Sequence, residues 1–271
     1  MFTRRKKSHI VEGNEISTFL LHISYDSVVL FDLDNTVMES QIELGSDQWF
    51  TRLSAHANEV IPDDKSQAFN HVLTVYNSIQ PYLRMKPVEP NVVMMIKALI
   101  NTGLPVYGLT ARGRSLQEVT ERQLLKIGID LRDQIIFCDG RDKGLCLKQQ
   151  LEHLSEYPRH IAFVDDKAKC LQSVKEILLA LRIPFTGLRY GFLDEKVKQI
   201  DFEKAHVQLA QLKEQLQPSV RASIDALKLT PKKEASQALN SAGFFMQAAA
   251  VDVSAVCAHK EAFSEAGNSL H

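Results

Sequence analysis

Asp32 and Asp34 stand one residue apart at the end of the apolar run in "VVLFDLDNTVME", where a central strand should finish. Burying a bare carboxylate is costly unless it is paired or bound to a metal. In an extended segment residues i and i+2 point the same way, so both side chains face one cavity. Three other apolar runs end in groups of related chemistry. One finishes in Leu109-Thr110-Ala111-Arg112, one precedes Asp142-Lys143-Gly144, and one finishes in Val164-Asp165-Asp166. If these ends meet, the site holds four carboxylates, a hydroxyl and an ammonium.

Carboxylates at that density repel one another unless a hard cation sits among them. Mg²⁺ takes oxygen ligands octahedrally and keeps waters and room for a phosphate. One carboxylate of such a site can attack phosphorus to form an aspartyl-phosphate. A second can protonate the leaving oxygen and then activate water. The Thr110 hydroxyl, backbone N–H groups such as that of Ala111, and Lys143 can hold the phosphoryl oxygens. Each residue also has a plain structural reading. Asp-x-Asp can cap a turn, Thr110 a helix, and Asp166 can be a helix N-cap as well as a metal neighbour. Lys143 has Lys148 and Arg141 as substitutes, and Arg112 and Arg114 either meet a substrate anion or lie on the surface.

Placing the four ends together is the task of the elements. Short apolar runs over 27–33, 105–109, 134–138, 160–164 and 185–188 read as buried parallel strands. Between them, amphipathic helices are expected over 91–102, from a capping box at Ser115 to Gly128, over 144–154, and after Asp166. The alternation predicts an α/β fold, a three-layer doubly wound parallel sheet that binds ligands at its carboxyl edge. An insertion at about 37–86, with helices over 46–57 and 64–79 and no good strand, forms a small helical cap. The core spans 1–217, and 218–271 is a C-terminal appendage, partly helical or disordered.

Net charge of −1 over 271 residues, with 45% hydrophobic and 24% charged, is ordinary for a globular chain and gives no support for nucleic acid as a partner. The basic start Arg4-Arg5-Lys6-Lys7 reads as a solvated tail and is not followed by a secretory hydrophobic region. The apolar stretch 244–258 is too short to span a bilayer. Cys138, Cys146, Cys170 and Cys257 lack CxxC spacing and read as reduced core thiols in a cytoplasmic chain. Trp49, Phe50, Phe69 and Tyr76 are available to pack the cap; as walls of the entrance they would favour a phenolic, phosphotyrosine-like ester over sugar phosphates or phosphoserine.

With "DLDNT", "LTAR", "DKG" and "FVDD" in order, the chain resembles the haloacid dehalogenase-like (HAD) hydrolase superfamily over about residues 24–190, which implies a HAD-like Rossmannoid core. The resemblance implies Asp32 as nucleophile, Asp34 as general acid/base, Thr110 as phosphate-binding hydroxyl and Lys143 as charge-neutralising lysine. It implies that Asp32, the Asp34 main-chain carbonyl and Asp165 hold Mg²⁺, with Asp166 direct or through water. An acid at Asp34 favours phosphate-ester cleavage over dehalogenation, so a phosphatase is expected, with a metabolite phosphatase or a phosphomutase as alternatives. "GSDQWF" at 45–50 resembles a branch of the superfamily in intracellular bacterial parasites, some of whose members are delivered into host cells. That likeness makes a translocated effector, with a tail that binds a host partner, the alternative of another class.

Overall fold

The computed structural model describes residues 8–231. The chain enters the sheet through β1 (His9–Gly13) and β2 (Ser27–Phe31). It then builds the cap from β3 (Met38–Ser40), α1 (Asp47–Val60), α2 (Lys65–Ile79) and β4 (Met85–Pro87). It returns through α3 (Pro90–Asn101), β5 (Val106–Thr110), α4 (Gln117–Lys126) and β6 (Ile135–Phe137). Next come α5 (Lys143–Leu151), β7 (His160–Asp165), α6 (Ala168–Ala180) and β8 (Phe185–Tyr190). Helices α7 (Asp194–Val197), α8 (Phe202–Leu212) and α9 (Pro218–Ala226) follow.

Six strands lie in the order β1-β8-β7-β2-β5-β6, and every pairing is parallel. The chain runs outward from β2 to β5 and β6, then crosses back to β7 on the other side of β2. That reversal is the switch point where open α/β sheets place their ligands. The α/β fold expected from the alternation is present: Val29, Phe31, Ala162 and Val164 join one apolar cluster, while Leu30, Ile161 and Phe163 join another. Alternate residues of one strand thus serve opposite faces, as a three-layer packing requires.

Several expectations need correction. A sixth strand, β1, pairs with β8 at the sheet edge, His9 opposite Thr186 and Gly13 opposite Tyr190. The cap helices begin where Ser46 and Asp64 accept from the Trp49 and Gln67 N–H groups, but an antiparallel pair, Met38 opposite Pro87, closes the base expected to lack strands. No capping box forms at Ser115, which lies in a 3₁₀ turn (Arg114–Leu116) ahead of α4.

Packing also continues beyond Gln217. Val220, Ile224, Leu227 and Leu229 are buried in the larger cluster. Ser223 Oγ lies 3.1 Å from His71 Nδ1, and the Leu227 carbonyl lies 2.9 Å from His56 Nε2. The division at 217/218 therefore does not coincide with an edge of the packed body. The basic run 4–7, Cys257 and the apolar stretch 244–258 lie outside the described residues. Among the described residues no helix is long and apolar enough to cross a membrane.

Candidate active site

Asp32 follows β2 directly, its N–H donating to the Val164 carbonyl at 2.9 Å, so the two central strands are still paired as the first carboxylate leaves the sheet. The chain then turns sharply. Asn35 takes a left-handed φ of 62°, which Asn tolerates better than most residues. The Val37 and Met38 N–H groups both donate to the Leu33 carbonyl at 2.9 Å. This turn sends the chain into the cap, and Asp32 and Asp34 line one cavity.

Lys143, the first residue of α5, reaches Asp32 Oδ1 at 2.6 Å and Asp165 Oδ2 at 2.7 Å, with all three side chains buried. Asp142 caps that helix by accepting from the Leu145 N–H at 2.9 Å. Gly144 lets α5 approach α6, since a Cβ there would lie 2.7 Å from the Ser173 carbonyl oxygen. Burial opposes the Lys143 charge, but Asp165 and Asp32 outweigh it and hold its pKa well above the usual value. Burial pushes the Asp32 carboxyl up to about 7, with Lys143 opposing and Asp165 adding to the rise.

Asp166 is half-buried and does not cap α6, whose N-cap is Lys167 without a side-chain bond. Its N–H donates to Thr36 Oγ1 at 3.2 Å, while its Oδ1 is buried with no hydrogen-bond partner among the described residues. Burial, then Asp32 and Asp165, push its carboxyl up to about 8. Asp32, Asp165 and Asp166 each offer an oxygen within 4.8 Å of the others. An all-oxygen set with one orphaned buried acceptor fits a hard divalent cation. The Asp34 carboxylate is not in that group.

The Asp34 side chain has another partner. Arg112 donates from Nε and Nη2 to its two oxygens at 2.7 Å each. Arg112 Nη1 is held by Thr120 Oγ1 at 3.1 Å and Gln123 Oε1 at 2.7 Å, and Gln123 Nε2 donates to the Gln80 carbonyl at the end of the cap. The guanidinium is therefore buried and built in, though the sequence alone leaves it as easily a surface arginine. Thr120 and Gln123, three apart on α4, are its buried partners, and nothing in the sequence marks them as such. Lys167 and Asp47, paired at 2.8 Å, form a second link between core and cap that sequence reasoning missed.

A cavity of about 270 Å³ opens over this cluster, with Asp32, Asp34, Ala111, Lys143, Arg141 and Lys167 on its walls. Thr110 is buried at the end of β5, where its hydroxyl accepts from the Arg112 N–H at 3.2 Å, and it is not among the wall residues. Nor are Trp49, Phe50, Phe69 and Tyr76. Trp49 stacks on Tyr76 at 6.3 Å between centroids, and Phe50 meets Tyr76 at 4.8 Å and Phe69 at 6.3 Å. Burial raises the Cys138 thiol pKa and pushes Cys170 up to about 12, leaving both poor nucleophiles.

The model of a family described as a protein of unknown function (DUF2608) matches residues 9–134 and 131–221. A Chlamydia trachomatis serovar D protein carried under an outer-membrane-protein name is 23% identical, over 67% of this chain and 77% of that protein. A Chlamydia muridarum protein of the same name is 22% identical, over 65% and 74%. Among solved structures, a haloacid dehalogenase-like family hydrolase from Streptococcus pneumoniae is similar at a TM-score of 0.40 and 15% identity, over 59% of this chain and 92% of that one. The HAD domain of effector protein Lem4 from Legionella pneumophila, an inactive mutant, gives 0.38 and 14%, over 65% and 94%.

Proposed function

Because the chain belongs to DUF2608, described only as a protein of unknown function, the site's own chemistry must carry the reading, and we propose a Mg²⁺-dependent phosphate monoester hydrolase. The observation that carries it is the cluster of buried Asp32, Asp165 and Lys143 with half-buried Asp166, one of whose oxygens has no hydrogen-bond partner among the described residues. Asp32, Asp165 and Asp166 would hold the cation, together with the Asp34 main-chain carbonyl. The ion would neutralise the carboxylates and let a phosphate dianion approach.

In this reading an Asp32 oxygen attacks phosphorus, the ester P–O bond breaks, and an aspartyl-phosphate forms. Asp34 gives its proton to the leaving oxygen and then takes one from the water that cleaves the intermediate, which restores Asp32. Arg112 must release an Asp34 oxygen before that oxygen carries a proton, because it donates to both. Lys143 and the Ala111 N–H bind the phosphoryl oxygens, and Thr110 supports the turn that aims that N–H. The partner is the phosphorylated substrate itself.

Turnover of 4-nitrophenyl phosphate by the full chain with Mg²⁺ tests this. EDTA should abolish it, and Asp32→Asn, which keeps shape and removes the nucleophile, should lower kcat by about 1,000-fold or more. Undiminished turnover in Asp32→Asn would end the reading. Asp34→Asn should slow turnover and trap phosphoenzyme visible by intact mass.

A further inference from the structure

Resting on the phosphatase reading, we propose that Arg141 and Lys169 form a second anion subsite, so that the substrate is a small ester with another carboxylate or phosphate a few atoms from the scissile group. Four cations line the cavity: Arg141, Lys143, Lys167 and Lys169. Lys143 is engaged by Asp32 and Asp165, and Lys167 by Asp47. Among the described residues, Arg141 and Lys169 have no carboxylate within ion-pair distance. Their neighbour Asp142 is already committed, accepting from the Leu145 N–H at 2.9 Å and the Ser173 hydroxyl at 2.5 Å.

The Arg141 guanidinium is held in place as well as free of a carboxylate partner among the described residues. Its Nε donates to the Cys138 carbonyl at 3.0 Å and its Nη1 to Gln149 Oε1 at 3.2 Å, which leaves the Nη2 edge available. The loop before it takes two consecutive left-handed residues, Asp139 (φ 52°) and Gly140 (φ 72°). A non-glycine residue stays in that conformation only where its surroundings fix it. Here they do. The Gly140 N–H donates to the Ala111 carbonyl at 2.9 Å, and Asp139 Oδ1 accepts from the Arg114 N–H at 2.8 Å. The subsite is thus tied to the strand end that presents Ala111 to the phosphate.

One phosphate does not need these charges, since in the phosphatase reading Lys143 and the cation held by Asp32, Asp165 and Asp166 would neutralise it. Arg141 and Lys169 add two further positive charges to the lining of the same cavity, which favours a second anion there. The volume, about 270 Å³, sits just below the roughly 300–1,000 Å³ of drug-sized ligand pockets, so the second anion must be close to the first. Among the described residues no aromatic side chain lines the wall to select a bare phenol ring.

The experiment compares kcat/KM for phenyl phosphate with 3- and 4-carboxyphenyl phosphate, a small bisphosphate and an uncharged-flank phosphotyrosine peptide, on the full chain with Mg²⁺. At least one doubly anionic ester should win by about tenfold, the size of one charge-assisted contact, mainly through KM, and lose its lead as salt rises. The carboxyphenyl and bisphosphate arms separate a carboxylate from a phosphate as the second anion. Arg141→Gln/Lys169→Gln should bring that ratio to within about twofold, and Lys169→Gln alone should lower it part-way. A wild-type ratio near one, a ratio retained in the double variant, or the peptide outrunning every doubly anionic ester overturns the subsite. Phenyl phosphate turnover that disappears in Asp32→Asn keeps the phosphatase reading standing in all three cases; no turnover of any ester removes both.

Discussion

The carboxyl edge of the sheet and the helical cap above it are both buried, for opposite reasons. At the edge Asp32 and Lys143 are each 5% exposed and Asp165 is fully enclosed, and each is satisfied by a named partner within 3 Å. Such an arrangement is costly to desolvate and weak evidence of stability. In the cap, Trp49, Leu53, Val72 and Val75 are enclosed with no charge among them. There burial itself is the driving force, and shape matters more than identity. The difference teaches where function resides: at the edge the buried charges line a cavity, while the buried carboxylates Glu39 and Glu89 are tied to structural partners, Lys86 and Lys196 for the first and the Ile16 N–H and Tyr190 hydroxyl for the second.

The largest expected effect breaks the assumption that the cap is self-sufficient. A chain ending at Pro231 and one ending at Gln217 differ by α9 and the turn after it, which bury Val220, Ile224, Leu227 and Leu229 against the cap side. At about 1.5 kcal/mol or more per buried aliphatic side chain, the shorter chain should be less stable by roughly 5 kcal/mol. Urea unfolding of the two measures it. A difference below about 1 kcal/mol would mean that α9 is not part of the body.

A paired substitution sharpens the contrast. Lys143→Met leaves Asp32 and Asp165 buried without their shared cation and should cost about 3–5 kcal/mol, part of which Mg²⁺ should restore. Leu53→Met in the cap conserves volume and should cost less than about 1.5 kcal/mol. Equal losses in denaturant titrations would show that the two regions are held in the same way.

The edge was legible in the sequence because its signals are short: Asp32 and Asp34 two apart, Lys143 beside the helix cap Asp142, Asp165 at the last position of β7. Apolar runs bounded by such residues also located five strands. What stayed hidden depends on distant partners. β1 is a short edge strand of mixed polarity that makes sense only beside Thr186–Tyr190. The β3–β4 pair joins three residues to three across the whole cap. The α9 contacts span 152 residues from His71 to Ser223. Arg112 looked like surface because its partners, Thr120 and Gln123, are ordinary polar residues until a helix turns them inward.

Removing the cation gives the third effect. Burial raises the Asp32 carboxyl from 3.8 to about 7 and that of Asp166 from 3.8 to about 8. A carboxyl with a raised folded pKa holds its proton more tightly in the folded than in the unfolded chain. The stability it contributes is complete below the unfolded value and is lost as pH rises through the folded one. EDTA-treated protein should therefore lose Tm between about pH 5 and pH 8. A divalent cation takes the place of those protons, so the gain in Tm with Mg²⁺ should grow across the same interval. A gain that is flat with pH would detach the cation from Asp32 and Asp166.

The smallest effect tests a residue that links the two regions. Arg112 lies at the edge, where it grips both oxygens of Asp34, and Gln123 ties it to the Gln80 carbonyl of the cap. Lysine in its place keeps the charge but offers a single ammonium instead of a planar fork, so it cannot hold two oxygens of one carboxylate in plane. If Arg112 only neutralises Asp34, Arg112→Lys should leave turnover alone. If it sets the direction from which Asp34 delivers a proton, kcat should fall about tenfold, with KM changing less than about threefold, because the loss is confined to the transition state. The sharper reading comes from esters of graded leaving-group acidity. A proton delivered late matters most for poor leaving groups, so the defect should widen from 4-nitrophenyl to alkyl phosphates. A defect of equal size across that series would leave Arg112 as a structural tie between edge and cap, with no part in the proton's path.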